Sequence, residues 1–305
     1  GYASYMSIGP IIGTGGLAML IPPSSMGVLL GSLARIDIGA LLIAGLLPGV
    51  LLAILYCTVI WLQTRLQPDC APAYDSAPVP LSKKLSLVVR NILPLGLVIF
   101  CVVGLILLGV ATPSESAAFG ALAVTALAVA NRALNLQVIE KSLASTVAVT
   151  AMVFLLVISS SVFGQLMAFS GASTTVVDWA IGLDIGTGDG TLIKLLLMFG
   201  TLLLLGMFMD QISILLLTIP IFFPLAASLG YDPVWFGIIV LLALEMSLST
   251  PPFGLLLFMM QGVAPKGTTL GEVALAALPY LGCDLLLMIL LVLLPGLALF
   301  LPRLI

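Results

Sequence analysis

The sequence contains no histidine and few charged residues, and each absence excludes a class of function. Only 8% of the 305 residues are charged, whereas about a quarter are charged in an average soluble domain. Without histidine the chain has no imidazole for catalysis, proton relay or metal binding. A formal net charge of −3 provides no basic surface for nucleic acid. These features exclude soluble, histidine-dependent and nucleic-acid-binding proteins.

Cysteines and nucleotide-binding motifs are equally scarce. The four cysteines are scattered too widely for a disulfide framework or a metal site, and we expect them to be apolar fillers: Cys57, Cys70, Cys101 and Cys283. No Gly-x-x-x-x-Gly-Lys-Ser/Thr motif occurs, so the chain does not hydrolyse ATP with a P-loop. We therefore predict no catalytic residues and no cofactor, and the energy for any transport must come from an ion gradient or a partner chain.

Apolar residues dominate the chain, at 61% of the total and a mean hydropathy of +1.31. A helix needs about 20 apolar residues to cross the hydrocarbon core of a membrane. Full-length candidates are Gly39–Leu62, Ile92–Val110, Glu115–Ala130, Leu143–Phe169, Val234–Gly262 and Val273–Leu301. Long uninterrupted runs favour helices over the short alternating strands of a barrel. The sequence predicts an all-α polytopic membrane protein.

A polar stretch over residues 65–91 separates two apolar parts, residues 1–64 and residues 92–305. Its basic residues are Arg65, Lys83, Lys84 and Arg90. Because basic residues are enriched in cytoplasmic loops, we predict that this linker is cytoplasmic. Counting membrane crossings outwards from the linker then gives a direction to every apolar run.

The sequence matches itself without gaps at an offset of 229 residues. Gly1-Tyr2 matches Gly230-Tyr231, and Pro22-Pro23 matches Pro251-Pro252. The crossing count gives the two copies opposite directions, and inverted repeats with broken helices are typical of secondary transporters. The alternative is a pair of proline kinks in ordinary helices. If the halves are symmetric, residues 1–64 form the C-terminal part of the first repeat, and a longer N-terminal segment precedes them.

Within the second repeat, two apolar limbs meet at a polar tip. Leu192–Met209 and Ile212–Leu225 are joined by Asp210-Gln211, which predicts a re-entrant hairpin over about residues 191–229. An ionisable residue at membrane depth suggests a functional site, so Asp210, Gln211 and Ser213 are candidates for binding substrate or ion. Alternatively, Asp210 is only the N-cap of the second limb. A broken helix over about residues 231–263 and a last span over 273–301 complete this repeat.

Both Pro-Pro breaks are surrounded by oxygen-bearing side chains and glycines, which suit a hard cation such as Na⁺. The candidates are Gly13, Thr14, Gly15, Ser24 and Ser25 around Pro22, and Glu245, Ser247, Ser249 and Thr250 before Pro251. Serine and threonine also pack membrane helices against one another, so any single hydroxyl has a structural alternative. Asp284, inside the last span, has no evident partner in the sequence; the alternatives are contact with another helix or subunit, or exposure to water.

Several segments together resemble the large membrane subunit of TRAP (tripartite ATP-independent periplasmic) transporters. They are Gly206–Asp210, Pro220–Pro224, Gly230–Pro233, Ser249–Gly254, Ile21–Ser24 and Ala111–Ala118. The resemblance implies a Na⁺-coupled importer of organic acids, such as C4-dicarboxylates or sugar acids, in the bacterial inner membrane. It further implies a periplasmic substrate-binding protein and a small four-helix membrane subunit as partners. An elevator-type fold follows from it, with Na⁺ near Thr14, Asp210 and Thr250.

Two other functions are compatible with these residues. One is a Na⁺/dicarboxylate symporter of related inverted-hairpin architecture that works without a binding protein. The other is an intramembrane enzyme, for which the candidate groups are limited to Asp210, Glu245 and Asp284.

Overall fold

The computed structural model describes residues 2–72, 80–182, 190–252, 254–265 and 267–304. Regular secondary structure in these ranges is helical, and no strand occurs in them, which confirms the all-α fold. Three parts of the predicted features lie outside the described residues: Gly1 of the repeat, Phe253 of the second break, and residues 73–79 of the linker.

The helices of the described part are numbered here in chain order. They are α1 (Ser4–Leu20), α2 (Ser25–Ala34), α3 (Ile38–Leu66), α4 (Leu81–Leu107), α5 (Pro113–Ala130), α6 (Leu136–Phe169), α7 (Ala172–Gly182), α8 (Gly190–Gly206), α9 (Gln211–Ser228), α10 (Pro233–Ser249), α11 (Leu255–Val263), α12 (Leu270–Leu293) and α13 (Gly296–Leu299). Among the described residues six helices are long and apolar enough to cross a membrane: α3, α4, α5, α6, α9 and α12. The chain is a polytopic membrane protein.

Three helix boundaries differ from those expected from hydropathy. Helix α4 begins at Leu81, inside the predicted linker, because leucine and lysine are good helix formers even where the charge lowers the hydropathy. Helix α6 begins at Leu136 rather than at Leu143. Helix α12 ends at Leu293, not near Leu301, since Pro295 lacks the N–H needed to continue the helical ladder.

The chain forms two compact units, and the larger comprises Gly1–Pro72 and Ile158–Leu304. At its centre α10 is buried on nearly all sides, as expected for a helix without a polar face. Helix α1 packs against α12, α3 and α10. A cluster of buried apolar side chains lies between α1, α11 and α12: Ile8, Ile12, Leu257, Val273, Ala276 and Ala277.

Glycines allow α1 and α12 to approach closely. A Cβ atom on Gly9 would lie 2.6 Å from the Ala276 carbonyl oxygen and 2.6 Å from the Tyr280 ring, and one on Gly13 would also lie 2.6 Å from that ring. The Tyr280 side chain therefore occupies the space that β-carbons on this face of α1 would fill.

The two broken helices have the same length and register. Helix α1 and helix α10 each contain 17 residues. Their first residues, Ser4 and Pro233, differ by 229, and their last residues, Leu20 and Ser249, also differ by 229. Each is followed by a cis Pro-Pro peptide bond and a shorter helix. The axes of α1 and α2 are bent by 40° at the first break.

The smaller unit comprises Ala73–Val157 and contains α4 and α5. These helices pack at Gly120, where a Cβ atom would lie 2.4 Å from the Val102 side chain. Helix α5 begins with a capping box, in which Thr112 Oγ1 accepts from the Glu115 N–H at 3.3 Å and Glu115 accepts from the Thr112 N–H at 2.8 Å. The side chains of α4 are largely exposed, which suits contact with lipid.

Candidate functional site

The tip of the hairpin between α8 and α9 is the short connection Met207–Asp210. Asp210 is the N-cap of α9: its carboxylate accepts from the Ser213 N–H at 3.0 Å and from the Ser213 hydroxyl at 2.6 Å. The N-cap interpretation of Asp210 is thus confirmed. Because a carboxylate has about four acceptor positions, these two bonds leave capacity for a cation, and that role stays a prediction.

The hairpin tip contacts both broken helices. On the α10 side, a Cβ atom at Gly206 would lie 2.0 Å from Ser247 Oγ, so the end of α8 packs directly on α10. On the α1 side, the buried Gln211 side-chain amide lies 3.3 Å from the sulfur of Met19. The structure therefore brings the tip, the end of α1 and the end of α10 together.

At the first break, Ser24 connects the end of α1 to the start of α2. Its buried hydroxyl donates to the Met19 carbonyl at 2.6 Å and accepts from the Gly27 N–H at 3.0 Å. Pro22 is buried, whereas Ser25 is exposed at the first position of α2. Of the predicted residues, Pro22 and Ser24 lie within the break itself.

The other candidates of the first repeat lie inside α1. Thr14 is exposed and donates to the carbonyl of Pro10 at 2.7 Å, six residues before α1 ends at Leu20. Gly13 packs on the Tyr280 ring, while a Cβ atom on Gly15 would lie 3.8 Å from Leu256 Cδ2, an ordinary van der Waals contact. The structure does not bring these three residues to the break.

At the second break, three hydroxyls bond back to the carbonyls of α10. Ser247 donates to Leu244 O at 2.7 Å, and Thr250 donates to Met246 O at 2.6 Å. Ser249 also donates to Met246 O, at 3.2 Å. Each hydroxyl oxygen keeps lone pairs after donating its proton. Oxygen acceptors thus line the end of α10 immediately before Pro251.

Sequence reasoning missed two serines of α6. A cavity of about 300 Å³ is lined by Ser159, Ser160, Phe163, Met209, Ser213, Leu216 and Leu217. Ser160 is a buried polar residue within the long apolar helix α6. The run of three serines at 159–161 was the sequence signal that could have identified this wall, which lies beside Ser213, the hydrogen-bond partner of the N-cap Asp210.

Glu245 and Asp284 meet at a third residue, Tyr56 of α3. The Tyr56 hydroxyl contacts Asp284 Oδ1 and lies 3.3 Å from Glu245 Oε1. All three side chains are buried. Asp284 therefore contacts another helix, which is one of the alternatives left open by the sequence, and Glu245 faces this cluster rather than the break. No sequence signal pointed to Tyr56.

Two helices of equal length, each broken at Pro-Pro, and a hairpin whose tip contacts both of them define a helical secondary transporter. The chain belongs to the family of tripartite ATP-independent periplasmic (TRAP) transporters, since the model of the family's DctM component matches residues 1–297. The resemblance noted from its motifs is confirmed.

Relatives with several named substrates are similar over most of the chain. The C4-dicarboxylate TRAP transporter large permease protein DctM of Pseudomonas aeruginosa is 33% identical over 99% of this chain and 69% of its own length. The ectoine TRAP transporter large permease protein TeaC of Halomonas elongata is 29% identical over 99% of this chain and 68% of its own. The sialic acid TRAP transporter large permease protein SiaM of Vibrio cholerae is 31% identical over 80% of this chain and 55% of its own.

These comparisons establish the class of function. The chain is a large permease subunit of the bacterial inner membrane and belongs to transporters that depend on a substrate-binding protein. It is a transport protein and not an enzyme. Asp210, Glu245 and Asp284 are therefore not catalytic groups.

Proposed function

We propose that this chain is the membrane permease of a Na⁺-coupled secondary transporter that imports organic acids. A periplasmic binding protein delivers the carboxylate, and a small four-helix membrane subunit completes the assembly. The chain needs no cofactor, and Na⁺ is the coupling ion. Substrate and Na⁺ bind where the hairpin tip meets the two helix breaks.

The contact of one hairpin tip with both broken helices carries this proposal. Gly206 packs on Ser247 of α10, and Gln211 contacts Met19 of α1. A ligand held between these elements touches three segments at once. Movement of the tip relative to either helix therefore changes the ligand's surroundings, which is how binding is linked to exchange between the two sides of a membrane.

The residues of this junction suit Na⁺ because their polar atoms are mainly oxygens. The Asp210 carboxylate and the hydroxyls of Ser213, Ser24 and Thr250 each keep acceptor capacity beyond the hydrogen bonds described. Carbonyl groups freed at the Pro-Pro breaks add neutral oxygen ligands, since proline cannot continue the helical ladder.

Charge explains why a carboxylate and Na⁺ bind together at this junction. Among the residues named at the tip and the two breaks, Asp210 is negatively charged and none is positively charged. An anionic substrate is therefore repelled unless a cation is already bound beside Asp210. Coupling of the two ligands follows from this electrostatic dependence. The C4-dicarboxylate relative makes malate a suitable first test substrate.

The proposal is tested by uptake of radiolabelled malate and sialic acid into proteoliposomes that contain the full-length subunit with its partners. We expect uptake to require an inward Na⁺ gradient and the binding protein. In Thr250→Ala the Na⁺ concentration for half-maximal uptake rises about tenfold, because one oxygen ligand is worth about 1.4 kcal/mol.

Thr201→Ala is the matched control for this experiment. Thr201 also donates to a carbonyl of its own helix, Leu197 O at 2.8 Å, but its side chain lies on an exposed face of α8. Uptake driven equally well by K⁺ or by a proton gradient contradicts the choice of Na⁺. Equal Na⁺ dependence in Thr250→Ala and Thr201→Ala contradicts the site. Uptake without the binding protein favours the symporter alternative.

A further inference from the structure

Three membrane helices of the larger unit meet at two buried carboxyl groups and one phenol. Glu245 of α10 is 4% exposed, Asp284 of α12 is 2% exposed and Tyr56 of α3 is 2% exposed. The Tyr56 hydroxyl lies between the two carboxyl groups, within hydrogen-bond distance of both. Buried carboxylates without compensation are very costly in an apolar interior, so this cluster needs positive charge.

Hydrogen-bond accounting places one proton in the cluster. The Tyr56 hydroxyl has a single proton, so it donates to one carboxyl group and must accept from the other. The accepting contact requires that one carboxyl group carries a proton of its own. This arrangement, from carboxylic acid to phenol to carboxylate, satisfies both contacts of Tyr56 and leaves the cluster with one negative charge.

One carboxyl oxygen is left without a partner. Glu245 Oε2 is fully buried and makes no hydrogen bond to the described residues. A buried acceptor without a donor is destabilising, because it has lost its hydrogen bonds to water without replacement. The cluster thus has one uncompensated negative charge and one oxygen with free lone pairs, and a single monovalent cation compensates both.

We propose that Glu245, Asp284 and Tyr56 form a buried binding site for one monovalent metal cation of the Na⁺ type, distinct from the ligands at the helix breaks. Oxygen donors favour hard cations. The three side chains offer fewer oxygens than the roughly six to eight that Ca²⁺ takes. Gly16 limits the space on one side, since a Cβ atom there would lie 1.9 Å from Glu245 Oε1. A cation at this position joins α3, α10 and α12.

The test measures binding of radioactive Na⁺ to the purified full-length protein and its thermal unfolding midpoint in NaCl against choline chloride. In Glu245→Gln and in Asp284→Asn we expect the binding stoichiometry to fall by one ion per chain. We also expect the Na⁺ concentration for half-maximal stabilisation to rise by at least about tenfold, since loss of even an outer partner of a metal ligand costs ten- to a hundredfold.

Tyr231→Phe is the matched control for Tyr56→Phe. Both lose a phenolic hydroxyl, but that of Tyr231 donates to the Thr191 carbonyl at 2.9 Å, at the start of α8. We expect Tyr56→Phe to weaken Na⁺ binding and Tyr231→Phe to leave it unchanged. Should Glu245→Gln fail to fold, Asp284→Asn and Tyr56→Phe carry the test.

Two results overturn the site. The first is an unchanged Na⁺ stoichiometry in Glu245→Gln, Asp284→Asn and Tyr56→Phe. The second is a wild-type unfolding midpoint that varies with pH but not with Na⁺. That result would show that protons alone neutralise the two carboxyl groups. The experiment also distinguishes this site from the proposed Na⁺ ligands at the helix breaks. If only the break ligands are wrong, Thr250→Ala leaves Na⁺ binding unchanged, whereas Glu245→Gln still reduces it.

Discussion

Gly16 faces the carboxylate of Glu245, and the two residues occupy the same position in the two repeats, since 245 − 16 = 229. A Cβ atom on Gly16 would lie 1.9 Å from Glu245 Oε1 and 2.2 Å from its Cδ. The self-match thus pairs two residues that touch in the structure, one from α1 and one from α10.

Replacement of Gly16 by alanine is expected to destabilise the larger unit. The added methyl group collides with a buried carboxylate that is itself held by Tyr56. Overpacking of this kind costs about 1–3 kcal/mol. The measurement is the thermal unfolding midpoint of the purified protein in detergent.

Gly282→Ala of α12 is the control, because no atom lies within 4 Å of a Cβ atom at that position. Alanine is favoured over glycine in a helix, so this control keeps or raises the midpoint. Equal midpoints for Gly16→Ala and Gly282→Ala would falsify the tight contact with Glu245.

A second prediction concerns the contact between the hairpin and α10. Gly206→Ala places a methyl group 2.0 Å from Ser247 Oγ and is expected to push the tip away from the end of α10. We predict at least a tenfold loss of uptake, equivalent to about 1.4 kcal/mol in the binding step. Gly200→Ala, in open space on the same helix, should transport normally. Normal uptake by both variants would show that the tip tolerates displacement.

The two roles of Asp210 are separable by substitution. Asparagine is as good an N-cap as aspartate, whereas alanine costs about 1 kcal/mol at this position. Asp210→Asn should therefore keep the unfolding midpoint while it raises the Na⁺ concentration needed for uptake. Asp210→Ala should lower the midpoint as well. Unchanged Na⁺ dependence in Asp210→Asn would leave Asp210 with the capping role only.

The fourth prediction concerns Tyr280, whose ring fills the space beside Gly9 and Gly13. Its hydroxyl is buried and has no hydrogen-bond partner among the residues that the structure describes, so Tyr280→Phe removes an unsatisfied polar group and should not lower the midpoint. Tyr280→Ala leaves a cavity and should cost about 3–5 kcal/mol. A large loss in Tyr280→Phe would mean that the hydroxyl has a partner in the assembled transporter.

Local features of the sequence determine much of this fold. Proline pairs identify the helix breaks because their chemistry is local, and Asp210-Gln211 identifies the hairpin tip because it interrupts a long apolar run. The start of α4 was missed, since hydropathy reports burial in lipid whereas helix formation by residues such as Lys83 depends on backbone propensity.

Contacts between distant residues were not accessible from the sequence. Tyr56 and Asp284 are separated by 228 positions, and nothing near either residue identifies its partner. Likewise, the sequence around Gly16 does not show why glycine is needed there, because the reason is the Glu245 side chain opposite. Such pairings follow from how α1, α3, α10 and α12 pack against one another. Hydropathy and local motifs do not predict that packing.

The contact between Gly16 and Glu245 also limits which side chains the two helices can carry there. The Glu245 carboxylate fills the space opposite Gly16, and the 1.9 Å spacing leaves no room for a β-carbon beside it. A second glutamate at position 16 therefore does not fit opposite Glu245. The two copies of the self-match must differ at this position, so the sequence repeat is asymmetric at the point where its copies touch.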